Sequence, residues 1–445
     1  MSRSLNLIKF WVLILVGKLI ILGLKLSGKG GGSALPGLVV EKIYPSFLNY
    51  GLNHLKFKPL VITGTNGKTT TTKLVAEIFK SQKFRVLTNP SGSNFTRGIA
   101  SELIKDVKFK PLSRQFDIAV LELDEAYAKQ FADKVDIGSL LILNISRDQL
   151  DRFGEIDATQ KLLESVAQKA DKLVLNLNEG TTADFYKKFS SSNLEPKQIS
   201  FFGAEPKLAK KMSTKDSRQA KLKLPSGADL VTLQKAEAPE GLNLQISLKI
   251  GDEKLELKTE LQGIYNALNF AAALAAARSV IGKKLKLSLV KKSEKLFKPA
   301  WGRSQQFVVG GPSVHLILVK NPSGFNHAVN EFGVGESALF ALNDDYADGR
   351  DVSWIWDVQF GELSFGHFST CGSRAYDMAL RLKYDDLNIR AKDVQPKISD
   401  ALNLFLDSDS ASNGSKTIFA SYTAMVEIYK ILNKLSSNKS VGDDV

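Results

Sequence analysis

One short stretch of the sequence contains the residue types that bind nucleotide phosphates. Residues 60–70 read LVITGTNGKTT, in which two glycines precede Lys68 and Thr69. Glycines allow backbone N–H groups to turn towards phosphate oxygens. A lysine in this place reaches the β- and γ-phosphates, and a threonine hydroxyl can bind Mg²⁺. We therefore predict a nucleotide-binding loop made of Gly64, Thr65, Asn66, Gly67, Lys68, Thr69 and Thr70.

The spacing of these glycines differs from the commonest phosphate-loop pattern. They lie one and four positions before Lys68, so the full G-x-x-x-x-G-K arrangement is absent. A plain glycine turn is the alternative interpretation. We favour the phosphate loop because Gly-Lys-Thr follows an apolar run and opens a helical pattern, with apolar residues at 74, 75, 78 and 79.

A carboxylate stands at the end of another apolar run. Residues 117–124 read DIAVLELD, which predicts a buried strand that ends near Glu122. A carboxylate there could bind the Mg²⁺ of Mg-ATP opposite Thr69. The alternative is a charge at a solvated strand end.

Two asparagines lie on an alanine-rich helical segment, residues 263–280. Asn266 and Asn269 are three residues apart, so they share one helix face. A side-chain amide offers a donor and an acceptor together, which suits the edge of an adenine ring. On the residues alone, a cap and a surface asparagine remain the alternative.

The elements that must position these residues follow an α/β order. Apolar runs at 84–90, 117–124, 139–146 and 172–178 alternate with helical segments. Such alternation predicts a parallel sheet covered on both faces, and ligands of these sheets bind at the C-terminal ends of the strands. A second α/β unit begins near residue 306 and carries clustered carboxylates, Asp344, Asp345, Asp348, Asp351 and Asp357.

Composition limits the remaining chemistry. The 445 residues carry a net charge of +13 and contain one cysteine, Cys371, and four histidines. A single cysteine excludes an internal disulfide and a cysteine-based zinc site, and it lies outside any nucleophile-elbow pattern. The histidines show no metal-binding spacing. The positive charge suits an anionic partner. The lysines lack the interleaved aromatic residues of a nucleic-acid-binding surface, so we predict that the chain does not bind nucleic acid.

The N-terminal residues 5–26 are the most apolar part of the chain, interrupted by Lys18. We favour a helix that lies in or on a membrane surface; a spanning helix and a helix packed on its own protein are the alternatives. A signal peptide is disfavoured because export would separate the phosphate loop from ATP, and no small-residue cleavage site stands out. The expected location is therefore cytoplasmic and peripheral, at the inner face of the cell membrane.

The loop GTNGKTT resembles the ATP loop of the Mur ligase family, which joins amino acids to cell-wall precursors through an acyl phosphate. Three later stretches narrow the resemblance to the MurT family: NPSGFN at 321–326, NDDYADGRDVSWIWD at 343–357 and STCGSRAYDMALRLKY at 369–384. The resemblance covers most of the chain, from about residue 28 to 430. It implies a Mur ligase-type central parallel-sheet ATPase domain followed by a smaller α/β C-terminal domain.

The domain boundaries implied in this way divide the chain into four parts. Residues 1–45 form an apolar helix and a glycine-rich linker, and 46–303 form the ATP-binding domain with a lysine-rich insert at about 180–258. Residues 304–435 form the C-terminal domain, and 436–445 a disordered tail. Some members of the family carry a four-cysteine zinc ribbon in the insert; this chain has no cysteine there, so we predict no zinc site.

The resemblance also assigns roles to single residues. It implies that Glu122 binds the metal, that Asn269 contacts the base, and that Arg303 of Trp301-Gly302-Arg303 contacts the nucleotide. In the segment NISRDQLDRFGE (144–155), Asp148 and Asp151 are candidates for the metal and acceptor region, with helix capping as the alternative. Many Mur ligases carry a histidine where this chain has Gln149.

The activity implied is ATP-dependent amidation. The α-carboxylate of D-glutamate in the stem peptide of lipid II would become D-isoglutamine. Lys68 and the Mg²⁺ bound by Glu122 would be the catalytic groups that stabilise charge on the transferred phosphoryl group. Ammonia would come from a separate GatD-like glutaminase subunit that supplies cysteine and histidine. Asp351 matches the aspartate that orients the partner's histidine, and Asp348 is its nearest rival.

Two other interpretations belong to different functional classes. One is a Mur-type or folate-type ligase that adds a whole amino acid. The acidic 344–357 loop and the absence of a full N-terminal uridine-nucleotide domain argue against it. The other is a membrane-tethered nucleotide-binding module without catalytic activity.

Overall fold

The computed structural model describes the chain in two compact units. The first unit reaches Lys298 and the second begins at Gln305 among the described residues. The described residues are 2–27, 34–89, 95–145, 156–191, 198–212, 224, 228–238, 244–298, 305–309, 313–407 and 415–436.

A nine-stranded sheet organises the described part of the first unit, in the order β2-β3-β1-β4-β5-β6-β7-β8-β9. Neighbouring strands from β2 to β7 run parallel, and β8 and β9 are antiparallel additions. The strands are β1 Leu60–Thr63, β2 Val86–Thr88, β3 Ile118–Glu122, β4 Ile137–Ile142, β5 Ala170–Asn176, β6 Gln198–Ala204, β7 Asp229–Glu237, β8 Leu244–Ile250 and β9 Glu253–Thr259.

Helices cover both faces of this sheet. They are α1 Ser2–Leu26, α2 Leu35–Ile43, α3 Phe47–Leu52, α4 Lys68–Ser81, α5 Thr96–Asp106, α6 Glu125–Ala132, α7 Ile156–Ala167, α8 Gly180–Ser191, α9 Pro206–Met212, α10 Ile264–Ile281 and α11 Leu287–Lys292. Side chains of a strand alternate between the two faces. In β1, Leu60 and Ile62 therefore face the core under α4 and α10, and Val61 faces the core under α5 and α6.

The strand order contains a switch point at β1. Strand β1 lies between β3 and β4 and pairs in parallel with both. The connection after β1 leads through α4 to β2 on one side, and the connection after β3 leads through α6 to β4 on the other. Connections that diverge in this way open a crevice at the C-terminal ends of these strands. The expected parallel α/β sheet is confirmed, and the loop after β1 lies at its usual ligand-binding edge.

The lysine-rich region contributes strands to this same sheet. Residues 242–250, LNLQISLKI, and 254–261, KLELKTEL, alternate apolar and polar residues, a pattern that predicts half-buried strands. Strands β8 and β9 form there as an antiparallel hairpin joined to β7. Alternate residues of β9 are buried, among them Leu255 and Leu257. The exposed Lys249, Lys254 and Lys258 lie on the other face of these strands.

Two helices in the described part of the chain are long and apolar enough to cross a membrane, Leu5–Leu26 and Ile264–Lys284. The second belongs to the core, because α10 buries an alanine-rich surface against α4 and the strands. Helix α1 packs through its middle instead, with Phe10, Leu13 and Ile14 buried.

The second unit repeats the α/β principle on a smaller scale. Its six-stranded sheet has the order β10-β11-β15-β12-β13-β14 among the described residues. Only the β10–β11 pair is antiparallel. The elements are β10 Gln305–Val308, β11 Ser313–Leu318, α12 Pro322–Phe332, β12 Val334–Ala341, β13 Ser364–Cys371, α13 Ala375–Tyr384, β14 Val394–Gln395, α14 Ile398–Asp407, β15 Lys416–Ala420 and α15 Tyr422–Leu435.

Helices α2 and α5 approach each other closely at Gly37. A Cβ atom on Gly37 would lie 1.9 Å from the carbonyl oxygen of Arg97, and the Gly37 N–H donates to Ser101 Oγ at 2.9 Å. We expect Gly37→Ala to lower the free energy of unfolding by about 1–3 kcal/mol, because the backbones of α2 and α5 must move apart to make room for the methyl group.

The matched control is Gly23→Ala in α1, where no atom lies within 4 Å of an added Cβ. It should raise helix stability by about 0.5–1 kcal/mol. Chemical denaturation followed by circular dichroism measures both. Equal effects of the two substitutions would contradict the close approach of α2 and α5.

Candidate nucleotide-binding site

The loop after β1 has the backbone conformation of a phosphate cradle. Gly64 has φ 128° and Gly67 has φ 86°, values that residues with a side chain rarely adopt. The chain therefore turns at these two glycines and enters α4 at Lys68. The N-terminus of this 14-residue helix carries N–H groups without helical partners and the positive end of the helix dipole, which together favour an anion.

Asn144, which follows β4, holds the loop in this conformation. Its Oδ1 accepts a hydrogen bond from the Asn66 N–H at 2.8 Å, and its Nδ2 donates to the Asn66 carbonyl at 3.0 Å. Its own carbonyl accepts from the Thr65 N–H at 3.1 Å. A Cβ on Gly64 would lie 2.8 Å from that same carbonyl oxygen. The loop is therefore tied to the neighbouring strand before any ligand binds.

The Lys68 ammonium is buried among oxygen atoms. Only 5% of the residue is exposed, and its Nζ donates to the Gly64 carbonyl at 2.6 Å and pairs with Asp124 Oδ1 at 3.1 Å. Burial lowers the pKa of Lys68, but the carboxylates of Glu125, Asp124 and Glu122 raise it, and the net pKa lies above the ordinary value. The lysine therefore stays charged at neutral pH.

Thr69 and Glu122 lie together beside Lys68. Thr69 Oγ1 donates to Glu122 Oε1 at 3.0 Å. The backbone of Glu122 is fixed by Asn89, whose Oδ1 accepts from the Glu122 N–H and whose Nδ2 donates to the Glu122 carbonyl, both at 2.8 Å. The glutamate side chain is thus presented to the loop from the end of β3.

This donor set fits Mg²⁺ in a nucleotide complex. Such a metal takes one or two protein oxygens, with phosphate oxygens and water completing its octahedron. The Thr69 hydroxyl and the Glu122 carboxylate supply one oxygen each. Within the described ranges, no larger group of His, Cys, Asp or Glu gathers to hold a metal by itself.

Asn269 reaches the loop from α10. A Cβ on Gly67 would lie 2.5 Å from Asn269 Oδ1, so the amide sits against the glycine that opens α4. Asn269 Nδ2 donates to Asn266 Oδ1 at 3.2 Å, and Asn266 Nδ2 donates to the Gln262 carbonyl at 2.6 Å. The two asparagines therefore differ in position: Asn266 accepts a hydrogen bond from the Asn269 side chain, and Asn269 faces the loop.

Several residues named from the sequence lie outside the described residues. They are Asp148, Gln149, Asp151, Trp301, Gly302 and Arg303.

The acidic loop of the second unit uses its carboxylates in different ways. Asp344 accepts from Ser373 Oγ at 2.7 Å and from Arg374 at 2.9 Å, and these contacts, Ser373 first, lower the pKa of Asp344. Asp348 is 7% exposed and accepts from the N–H and hydroxyl of Thr423 at 2.8 and 2.5 Å. It therefore fixes the loop to the start of α15.

Asp351 is half-buried, and its Oδ1 accepts from the Ser353 N–H at 2.8 Å. Among the described residues its Oδ2 accepts no hydrogen bond. Of the two neighbouring aspartates, Asp348 is thus held inside the unit, while Asp351 retains a carboxylate oxygen for an external group.

Cys371 is the one cysteine of the chain, and it ends β13 fully buried. Burial and, to a smaller extent, the nearby Glu427 raise the pKa of its thiol to about 12. Since the thiolate is the nucleophilic form, this cysteine is unsuited to attack an amide.

Sequence reasoning missed Asn144 and Asn89. Each follows an apolar strand, β4 and β2 respectively, in the same way that Glu122 ends β3. The rule that polar residues at strand ends deserve inspection could have found both.

We expect Asn144→Ala to raise the dissociation constant of a non-hydrolysable ATP analogue at least tenfold, because the loop loses its two side-chain anchors. The matched control is Asn178→Ala. Asn178 makes the same reciprocal pair, accepting from the Ala204 N–H at 2.7 Å and donating to the Ala204 carbonyl at 3.2 Å, at the ends of β5 and β6.

Both substitutions should lower stability by about 1–3 kcal/mol, but only the first should weaken the analogue. Titration calorimetry and denaturation measure the two effects. If both variants bound the analogue equally well, Asn144 would have no role in shaping the loop.

The burial of Cys371 predicts that native protein resists iodoacetamide at pH 8, whereas unfolded protein is alkylated stoichiometrically. Mass spectrometry of both samples measures this. Rapid alkylation of the native chain would show that the thiol is accessible and would reopen a cysteine-based role for this chain.

Two domain families match the chain. The Mur ligase middle domain matches residues 62–277, and the MurT ligase C-terminal domain matches residues 318–425. The chain is 29% identical over 434 residues to the Streptococcus pneumoniae protein named lipid II isoglutaminyl synthase (glutamine-hydrolyzing) subunit MurT, covering 92% of this chain and 94% of that protein. It is 29% identical over 410 residues to the Staphylococcus aureus protein of the same name, covering 85% and 89%.

Solved structures share the fold. One is UDP-N-acetylmuramoylalanyl-D-glutamyl-2,6-diaminopimelate–D-alanyl-D-alanyl ligase from Acinetobacter baumannii, with a TM-score of 0.64, 17% identity, and coverage of 89% of this chain and 79% of that one. Another is MurF ligase from Thermotoga maritima in complex with ADP, with a TM-score of 0.58, 16% identity, and coverage of 89% and 84%. The phosphate loop after β1, the matched domains and the relatives that align over most of the chain together identify this chain as an ATP-dependent ligase of the Mur ligase family, in the group that carries the MurT C-terminal domain.

Proposed function

We propose that the chain amidates the α-carboxylate of D-glutamate in the stem peptide of lipid II, using ATP and ammonia. The observation that carries the proposal is the near full-length similarity to two proteins named as MurT subunits of lipid II isoglutaminyl synthase. The preformed loop with Lys68, Thr69 and Glu122 supports it, because amidation of a carboxylate needs activation by a nucleotide.

Activation is needed because an oxide ion is a poor leaving group. In the proposed first step, a carboxylate oxygen of the acceptor attacks the γ-phosphorus of ATP, the bond to the bridging oxygen breaks, and ADP leaves. The product is an acyl phosphate. Ammonia then attacks its carbonyl carbon, the C–O bond to phosphate breaks, and inorganic phosphate and a proton are released, leaving the amide.

The residues of the loop would act mainly by placing positive charge. The Lys68 ammonium lies where β- and γ-phosphate oxygens bind in such loops, and the N-terminus of α4 adds oriented N–H groups. These groups stabilise negative charge on the transferred phosphoryl. Thr69 and Glu122 would hold Mg²⁺, which neutralises charge on the phosphate oxygens. On this proposal Gly64–Thr70, Asn269 and Arg303 bind the nucleotide.

An incoming phosphate must replace one of the present partners of Lys68. Its Nζ is bonded to the Gly64 carbonyl and paired with Asp124. An ammonium has three donors, so it can keep the carbonyl bond while it exchanges the carboxylate for a phosphate. Asp124, 28% exposed at its side chain, would then lose its ion pair with Lys68.

The ammonia would come from a separate GatD-like glutaminase subunit. Glutamine hydrolysis of this kind uses an activated cysteine with a histidine, and Cys371 is buried with a raised thiol pKa. We propose that Asp351 orients the histidine of that partner, as the third member of a triad shared between two chains. Its open carboxylate oxygen supports this choice over Asp348.

We further propose that residues 46–303 act as the nucleotide domain and 304–435 as the partner-facing domain. Since lipid II is a membrane lipid, the protein would work at the inner face of the cell membrane from the cytoplasm.

The test is mass spectrometry of lipid II incubated with ATP, Mg²⁺ and the protein, in two arms. One arm contains free ammonium, and the other contains glutamine with a co-expressed amidotransferase subunit. We expect conversion of one carboxylate to an amide in both arms. Lys68→Ala should reduce both by at least about 10²-fold, because transition-state charge loses its main cation.

Gain of a whole amino-acid residue by lipid II would make the chain an amino-acid ligase instead. Nucleotide binding with no product in either arm would leave a non-catalytic module.

Asp351→Asn should lower the rate of amidation with glutamine by about 10²-fold or more and leave the rate with free ammonium unchanged. The control is Asp348→Asn, which weakens a contact inside the unit and should lower stability more than it alters the ratio of the two arms. If Asp348→Asn selectively abolished amidation with glutamine, Asp348 and not Asp351 would be the aspartate of the triad.

A further inference from the structure

Helix α1 has two opposed apolar faces, and only one of them is used by the protein. Phe10, Leu13 and Ile14 are buried against α2, α3 and α5. Gly17 continues this face, since a Cβ there would lie 2.7 Å from a methyl carbon of Ile104. Phe10 stacks on Phe47 with 4.9 Å between ring centroids. This face docks the helix along the first unit.

The opposite face is an uninterrupted apolar stripe. Its residues recur at alternating intervals of three and four, and each is 49–80% exposed. At about 100° per residue they project within an arc of roughly 100°, facing away from the packed side. The stripe extends over about 30 Å at 1.5 Å per residue. We define it as Leu5, Ile8, Val12, Leu15, Leu19, Leu22 and Leu26.

Such a surface is unusual on a soluble monomer, where contiguous apolar patches of this extent mark binding sites. Its surroundings indicate the kind of partner. Helix α1 contains no acidic residue, and the exposed Lys9 and Lys25 lie on the two flanks of the stripe.

Aromatic and basic residues extend this pattern beyond α1. The Trp11 ring lies 6.0 Å from the ring of Phe109. Phe109 is 63% exposed and stands between the exposed lysines 108 and 110. Ile43, 62% exposed, follows the exposed Lys42 at the end of α2. Apolar side chains framed by lysine and aromatic rings are typical of surfaces that enter the interface of an anionic bilayer.

A second copy of the chain fits this surface less well. A stripe with alternating three and four spacing can pair with another helix, but pairing is normally supported by opposite charges on its flanks. Here both flanks carry lysine, so two copies would bring like charges together. Charge complementarity favours an anionic lipid surface.

We propose that the stripe lies in the headgroup region of an anionic bilayer, with α1 parallel to the membrane plane. A perpendicular, spanning helix would require the Phe10 face to leave its core, and would carry Lys18, whose Nζ donates to the Lys105 carbonyl at 3.1 Å, into the hydrocarbon. The packed face therefore fixes α1 on the protein while the stripe enters the interface. This deepens the proposed function, because the acceptor is a membrane lipid.

The first test is flotation of the full-length chain with vesicles. We expect binding to vesicles that contain phosphatidylglycerol and weak binding to pure phosphatidylcholine. Leu15→Gln/Leu19→Gln/Leu22→Gln should lower the bound-to-free ratio more than tenfold. Lys9→Gln/Lys25→Gln should lower it by up to about fivefold per lysine on anionic vesicles only.

The matched control is Leu380→Gln/Leu404→Gln/Leu435→Gln. These leucines are 52%, 59% and 49% exposed, against 49%, 59% and 53% for the stripe residues, and lie on the second unit. The control should float like the wild type. Equal loss in both triple variants, or no flotation of the wild type together with a stripe-dependent dimer in sedimentation, would overturn the proposal.

The second test measures depth. Leu5→Cys, Leu15→Cys and Leu26→Cys can each be labelled selectively, because Cys371 is buried. With quenchers placed at the headgroup or deep in the acyl chains, all three labels should report the same shallow depth. A deep Leu15→Cys label flanked by two shallow ones would show a spanning helix and refute the parallel orientation.

The acceptor separates this inference from the proposed function. The stripe variant should amidate a water-soluble short-chain lipid II analogue at the wild-type rate but lose activity on lipid II in vesicles. If the wild-type protein amidated neither acceptor but still floated with vesicles, the proposed function would be wrong and the membrane contact would stand. Equal activity of the stripe variant on both acceptors would overturn a role of the stripe in reaching the substrate.

Discussion

The structure of the first unit depends on one buried charge. The Lys68 ammonium lies in an environment of low polarity, where an unpaired cation would cost several kcal/mol. Three carboxylates and a loop carbonyl surround it. These groups come from β3, from the start of α6 and from the loop itself, so placing the lysine fixes the mutual arrangement of all three. The cation that would meet phosphates is thus already stabilised by the groups that hold the metal-binding side of the site.

The asparagines complete this arrangement with backbone geometry. Asn89 and Asn144 follow β2 and β4, and Asn176 ends β5. Their side chains donate to the carbonyls of Glu122, Asn66 and Leu143 respectively. An amide can accept from an N–H and donate to a carbonyl in one plane. The side-chain amide therefore makes the same kind of hydrogen bonds as a strand backbone, at the point where the backbone pairing of the sheet ends. These bonds connect the end of β2 to the end of β3, and the end of β4 to the loop after β1 and to the end of β5.

Much of this architecture could be predicted from the sequence because it depends on local patterns. The apolar run at 117–124 contains β3, the run at 139–146 overlaps the C-terminal part of β4, and the glycines and Lys68 mark the loop. What local patterns could not supply was contact across the chain. The roles of Asn266 and Asn269 differ only because Gly67 lies beside one of them. The sequence also could not show which face of α1 packs on the protein, because both faces are apolar. Only the structure shows that α3 and α5 cover one of them. Arg303 lies beyond the described residues and stays a prediction.

The contact between Gly67 and Asn269 has a consequence for how relatives of this chain can diverge. Two positions about two hundred residues apart share one small volume, and it is filled by an amide on one side and a missing side chain on the other. A larger residue at either position displaces the other, so neither can drift alone. A relative with another residue in place of Asn269 should therefore also differ near the glycine turn. The two positions are expected to co-vary rather than to change independently.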